Sequence, residues 1–260
     1  MAAPTRFPSG ISTQAVGKQL GMYPLPDPTE ICNDFEDFNQ YVAADWTVTN
    51  TTSHATIGLV AGAGGLVSIV GGASSTTSDI GAIIANPLNF NLPVNAVTAT
   101  LVPTQQAWYY ATMKATTAIN DQLQTGVTSA NATLAPSDGL YFNKAAASTA
   151  ITFVVRKGSA SLAATAYSTG TTTVATLVDA TAIELGWYYD GKGFVHVFVN
   201  ETEVCSVDVG GGPVNNGVMV ATFPVAVALG GGFGIKAAAT APTTGDIIVD
   251  FTLVAQTRPL

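Results

Sequence analysis

The sequence predicts an all-β fold: a two-sheet antiparallel sandwich of the jelly-roll type, preceded by an extended N-terminal arm. Three observations lead there. About a dozen runs of β-branched and aromatic residues follow one another from residue 31 onward, separated by Gly, Asn, Asp and Pro turn signals every 8 to 15 residues or so. No fixed repeat links them, so a propeller or solenoid is excluded. The first thirty residues differ from everything after them, with Pro4, Pro8, Pro24, Pro26 and Pro28 interleaved with Gly10, Gly17 and Gly21. Neither a helix nor a ladder strand runs far through such a segment.

The arm is rich in residues that demand burial: Phe7, Ile11, Val16, Leu20, Met22, Tyr23 and Leu25. A disordered tail is poor in these types. Extended, some 25 residues reach about 80 Å, well beyond the edge of a domain of this size. Phe7, Ile11, Leu20, Met22, Tyr23 and Leu25 are therefore expected to bury against a partner or a neighbouring copy. Residues 31–260 are read as a single sandwich domain.

Along that body, Cys32 to Thr49 reads as a strand, a short connection and a second strand, with Trp46 as a core anchor. Leu66 to Val70 places Val67 and Ile69 on the face opposite Leu66, Ser68 and Val70. Asp79 to Ala85 and Trp108 to Lys114 are further strands, whereas Ala115 to Asn131 is the one stretch that could hold a short helix. Asp138-Gly139 opens an aromatic strand reaching Lys144, and Ile151 to Lys157 ends at Gly158-Ser159. The clearest local signal is the pair of alternating runs Ile183–Tyr189 and Phe194–Asn200 around Asp190-Gly-Lys-Gly193. Its glycines supply the positive φ that a tight hairpin needs. Glu203 to Asp208 extends the hairpin into a meander, and Asp246 to Ala255 forms the final strand.

Composition narrows the function. Only 10% of residues are charged and the formal net charge is −8, with no basic stripe to neutralise phosphates, so nucleic acid is not an expected partner. The start carries no continuous apolar run of the signal-peptide kind, and Pro224 and Gly230 to Gly232 interrupt the apolar stretch near residues 218–235. Neither export nor a membrane span is expected. A body this long buries about 70% of its unfolded surface, enough without a disulfide or metal. Cys32 and Cys205 are read as two free, mostly buried thiols of a protein made in a reducing cytosol.

No cofactor and no catalysis are expected. His54 and His196 are the only histidines, and His196, in phase with Phe194 and Phe198, reads as a core or sheet-face residue. The acids Asp34, Glu36 and Asp37, then Glu201 and Glu203, then Asp246 and Asp250, are the pairs a glycosidase could use, yet each reads more simply as a solvated face. No G-x-S-x-G is present, and the glycine clusters lack the Lys-Ser/Thr of a phosphate loop. The triplets Trp108-Tyr109-Tyr110 and Trp187-Tyr188-Tyr189 each place at most two rings on one strand face. Trp108, Tyr110 and Tyr188 are the candidates for exposed aromatic contacts.

The segments Phe7-Pro-Ser-Gly-Ile-Ser-Thr13, Gly21-Met-Tyr-Pro-Leu-Pro-Asp-Pro28, Asn33-Asp-Phe-Glu-Asp-Phe38 and Asp45-Trp46-Thr-Val resemble structural proteins encoded in the head-gene region of tailed bacteriophages. Asp138 to Asn143 and the Trp187 to Val199 hairpin resemble concanavalin A-like or laminin-G-like jelly rolls. The resemblance implies a capsid decoration, or cement, protein on the outer surface of an icosahedral virion, synthesised in the host bacterial cytoplasm. Its implied partners are the major capsid protein and its own copies, commonly as a homotrimer. The competing expectation is a head-fibre or tail-associated receptor-binding module that stacks host glycan on exposed Trp or Tyr.

Overall fold

A computed structural model describes residues 31–50, 56–61, 65–70, 80–85, 94–95, 100–101, 106–118, 121–129, 134–167, 170–210, 222–224, 228–236 and 246–257. The arm, with the predicted contacts Phe7, Ile11, Leu20, Met22, Tyr23 and Leu25, lies outside these described residues.

In chain order the strands are β1 (Ile31–Glu36), β2 (Trp46–Asn50), β3 (Thr56–Val60), β4 (Leu66–Val70), β5 (Ile80–Ala85), β6 (Val94–Asn95), β7 (Thr100–Leu101), β8 (Ala107–Ala115) and β9 (Gln122–Thr128). They continue as β10 (Gly139–Lys144), β11 (Ala150–Lys157), β12 (Ala160–Ala163), β13 (Thr173–Thr176), β14 (Ile183–Tyr189), β15 (Phe194–Val199), β16 (Thr202–Asp208), β17 (Gly230–Lys236) and β18 (Asp246–Thr257). A 3₁₀ turn, Ala43–Asp45, leads into β2.

Two eight-stranded antiparallel sheets result. Sheet A runs β12-β11-β10-β9-β17-β5-β2, with β13 also paired to β11. Sheet B runs β16-β15-β14-β8-β18-β4-β3, with β1 added on β18. Strand β18 is long enough to take β4 on its first half and β1 on its second, while β8 lies along its other side. A bulge between Val249 and Phe251 shifts the phase, so that Ile247 and Val249 and then Thr252 and Val254 all point inward. Across the sandwich β9 lies over β8, β17 over β18 and β5 over β4. The edge strands β2 and β3 therefore share one flank.

The core forms where the inward sets meet. Leu123, Val127, Phe142, Phe153 and Phe233 come from sheet A, and Tyr109, Trp187, Tyr189, Val195 and Val197 from sheet B, all almost fully buried. Phe142 and Phe153 pack across a strand pair at 5.1 Å, and Tyr109 stacks on Trp187 at 6.2 Å. The Tyr109 hydroxyl hydrogen-bonds Thr125 Oγ1 of the facing sheet, which satisfies a polar group in the middle of the core. Burial pushes that phenol far above the ordinary tyrosine range.

Most expected elements are present, and the hairpin is the clearest. Gly191 and Gly193 hold φ of +73° and +128°, and Asp190 Oδ1 accepts the amides of Lys192, Gly193 and Phe194 at 2.7, 3.0 and 3.0 Å. Trp46 is 6% exposed and stacks on Phe38 at 5.8 Å. Two expectations are corrected. The possible helix between Ala115 and Asn131 is instead strand β9, because Leu123, Thr125 and Val127 alternate inward and bury at the sheet centre. Cys32 is exposed, since β1 lies at the margin of sheet B, whereas Cys205 is buried and its thiol is pushed up to about 12. Both are free thiols.

Candidate interaction face

Pairing registers fix which side chains turn outward from sheet B. Trp108 stands opposite Tyr188 and Tyr188 opposite His196, while Tyr110 stands opposite Leu253 and Leu253 opposite Phe35. Directly paired residues share a face. Two aromatic ladders result: Trp108–Tyr188–His196, with centroid separations of 5.3 and 5.9 Å, and Tyr110–Phe251–Phe35, with separations of 5.3 and 6.1 Å.

The predicted exposure fails for two of the three aromatic candidates. Trp108 is 4% exposed and Tyr188 6%, and Tyr110 is half-buried. Ile31, Trp108, Tyr188, Phe198 and Ala255 form a hydrophobic cluster of their own, against which Leu253 packs. Alternation along a strand shows which residues share a face, but not that the outward one is covered as well.

Polar groups rim this face. His196 Nδ1 lies 2.9 Å from Glu203 Oε1, and the exposed Tyr167 hydroxyl donates to Ser206 Oγ at 2.7 Å and to Glu203 Oε1 at 3.3 Å. Gln106 Nε2 donates to the Tyr188 hydroxyl at 2.5 Å. Burial, then a hydrogen bond to Glu184 and the charges of Glu184 and Glu201, pushes the Tyr110 phenol far above its ordinary range. Tyr110 thus stays a neutral donor over any physiological pH.

The outward face of sheet A has a different chemistry. Gln124 pairs with Asn143 and Gly234, and Gly126 pairs with Tyr141 and Gly232, so amides and backbone dominate its centre. Gln122 Nε2 donates to Asn143 Oδ1 at 3.3 Å and to Leu134 O at 3.2 Å. Gln124 is 5% exposed and its Nε2 has no hydrogen-bond partner.

The third surface is the β2/β3 flank. Of the eight large hydrophobic residues exposed among the described residues, five lie between residues 35 and 60: Phe35, Val42, Val48, Leu59 and Val60. Among the described residues, strand β3 is the end of its sheet and β2 the end of the other. Open edges that carry apolar side chains are places where another chain can pair or pack.

Glu36 and Glu203 do not form a glycosidase pair. Glu36 lies on β1 and Glu203 on β16, five strand spacings apart in sheet B, or about 24 Å against the 5 to 9.5 Å such chemistry needs. Asp34 and Glu36 are neighbours on one strand, and burial raises both carboxyls. Glu36 Oε1 is engaged by the Phe38 amide at 3.1 Å. Among the described residues no group of three His, Cys, Asp or Glu side chains gathers to hold a metal.

This architecture is a concanavalin A-like jelly roll, of the sandwich class found in lectins. The chain is similar to a protein of unknown function from Shewanella oneidensis MR-1, with TM-score 0.55, 16% identity and 95% of each chain covered. It is also similar to the cellulose-induced protein Cip1, with TM-score 0.53 and 13% identity over 85% of this chain and 96% of that one. The carbohydrate recognition domain of Emp47p superposes with TM-score 0.53 and 10% identity, over 90% of this chain and 99% of that one. At these identities the likeness concerns the fold. No family model matches the chain, and no curated protein matches it in sequence.

Proposed function

We propose that this chain is a non-enzymatic virion structural protein that decorates and braces the outer surface of a tailed-phage capsid, held by its N-terminal arm and by contacts between copies in a trimer. The observation that supports it best is the β2/β3 flank, where the two strands that end their sheets among the described residues carry the exposed Val48, Leu59 and Val60. A surface of this kind suits docking on another protein rather than turnover of a small molecule. The resemblance of the arm and of the Asn33 to Val48 segment to head-region proteins supplies the partner. Weak contacts of this type, repeated over a symmetric shell, brace it by avidity.

The test is co-sedimentation with undecorated mature capsids, followed by cryo-electron microscopy. Stoichiometric density at threefold positions is expected, and Leu59→Asp with Phe35→Asp should reduce binding at least about tenfold while the β circular dichroism persists. Absence of shell binding by the parent chain overturns the proposal. For the glycan-receptor reading, Trp108 and Tyr188 are covered, which leaves the half-buried Tyr110 among its candidate rings. Micromolar binding on a glycan array, lost in Tyr110→Ala, would favour it.

A further inference from the structure

Away from the β2/β3 flank, two large aromatic side chains stand exposed at the β15–β16 margin of sheet B: Tyr167 at 63% and Phe194 at 40%. The pairing register puts Phe194 opposite Asp208, His196 opposite Ser206 and Phe198 opposite Glu203. These side chains turn away from the core, which Val195, Val197, Cys205 and Val207 enter. Tyr167 lies in the turn after β12, yet its amide donates to Val204 O at 2.8 Å and its hydroxyl reaches Ser206 Oγ at 2.7 Å and Glu203 Oε1 at 3.3 Å. Its ring is therefore laid over the outward side of β16, on the same face as Phe194. The Phe194 row and the His196–Ser206 row are two residues apart along the strand, or about 7 Å.

We propose that Tyr167 and Phe194 form a binding site for a neutral oligosaccharide, whose sugar rings stack on the two aromatic rings while its hydroxyls meet Ser206, Glu203 and Asp208 between them. Three observations converge on that ligand. The first is the mixture of groups. A pyranose is apolar on its C–H faces and polar around its rim, so it calls for exposed rings bordered by hydroxyl and carboxylate groups. On the β2/β3 flank the exposed Val48, Leu59 and Val60 are aliphatic, which suits a protein surface instead. Here Ser206 accepts from Tyr167 and keeps its own proton to donate.

The second observation is the way Tyr167 is held. An exposed tyrosine that turned freely would lose that freedom on binding, which weakens the complex. Tyr167 is fixed at its amide and again at its hydroxyl, so stacking on it orders little that is not already ordered. The third is charge. Glu203 and the exposed Asp208 make the patch acidic in a chain of net charge −8, and the imidazole of His196 lies against Glu203 Oε1 at 2.9 Å. Sialylated and sulfated chains are repelled by such a patch, whereas neutral ones are not. The assignment is independent of Tyr110 and of whether the protein docks on a capsid.

The experiment applies the full chain to a printed array of neutral, sialylated and sulfated oligosaccharides and measures the Kd of the best neutral probe by titration calorimetry. Micromolar binding of neutral chains is expected. Tyr167→Ala and Phe194→Ala should each weaken it at least about tenfold, and Tyr167→Phe, which keeps the ring and loses its tether, by about threefold. Tyr110→Ala and the exposed-site control Val178→Ala should leave it unchanged, with parental β circular dichroism throughout. Should Phe194→Ala lose its β signal, Tyr167→Ala carries the same readout. An array that stays silent for the parent overturns the proposal, as does binding that survives Tyr167→Ala. Binding confined to sialylated or sulfated chains overturns the neutral class. A silent array together with weaker capsid co-sedimentation by Tyr167→Ala would make the patch a protein contact and overturn the site as well.

Discussion

The two sheets carry similar inward faces and opposite outward ones. Inward, both present large apolar side chains at alternate positions, Leu123 and Val127 on β9 matching Trp187 and Tyr189 on β14. Outward, sheet A shows glycine and amide at its centre, where Gly126 faces Gly232 and Gln124 faces Gly234. Sheet B shows Trp108, Tyr188, Phe198 and Phe251. A period of two identifies one core, and only the chemistry of the other phase tells whether a second exists. Sheet B has a core on each side.

The strongest way to break this comparison is to remove a large side chain from each side. Phe153→Ala in the inner core should cost about 3 to 5 kcal/mol, and Phe198→Ala, equally buried but outward, should cost as much. Urea denaturation of the two variants measures it. A cost below about 1 kcal/mol for Phe198→Ala would mean that the outward cluster is surface, and the contrast between the sheets would collapse.

The next effect tests sheet A, where Gly126 lies opposite the almost fully buried Tyr141 on the outward face. Gly126 holds φ of +149°, and a Cβ there would stand 2.5 Å from Leu140 O and from Tyr141 Cα. Both are backbone atoms that cannot swing aside. Gly126→Ala should therefore cost about 3 kcal/mol, through strain and local loss of the β9–β10 ladder, read as a lower urea midpoint. A near-neutral result would show that sheet A tolerates side chains at its outward centre.

Much of this was legible in the residues, and the gaps have physical causes. The β14–β15 hairpin was written in its own turn chemistry, Asp190 and two glycines between alternating runs, which needs no distant partner. Strand β9 was not, because Gln122-Leu-Gln-Thr-Gly-Val-Thr alternates only weakly and its strand character comes from β10 and β17 on either side. The burial of Trp108 and Tyr188 was hidden for the same reason: local spacing assigns a face, and cover is a tertiary fact. One signal could have found it. Ile183 to Tyr189 is apolar at nearly every position, as strands buried on both faces are.

Lys144 breaks the inward rule of sheet A and offers a smaller test. It continues the inward phase of Leu140 and Phe142, is 1% exposed, and its ammonium donates to the Asp121 carbonyl. Burial lowers its pKa to about 8 from 10.5, with Asp121 opposing the shift. The folded state thus releases its proton earlier than the unfolded one, so stability contributed through Lys144 rises with pH from about 8 toward 10.5. Above about pH 9 Cys205, whose folded pKa is raised, pulls the other way. Between pH 7 and 9 the parent should gain stability relative to Lys144→Met, measured by urea midpoints at each pH. A difference that stays flat would mean that the ammonium finds water.

The smallest expected effect decides how far the second core extends. Gly58 lies on β3 and pairs with Ser68, so an added methyl would project outward from the same sheet that carries Phe198. Nothing stands within 4 Å of that position. Its φ lies outside the left-handed range, so alanine brings no strain and restricts the unfolded chain. Gly58→Ala should be neutral or stabilising by up to about 1 kcal/mol, against the large loss for Phe198→Ala five strands away. A loss above about 1 kcal/mol would mean that the cover runs on to the sheet edge and occupies the flank assigned to docking. Neutral stability combined with weaker capsid binding would separate the two surfaces cleanly: one covered, the other kept open for a partner.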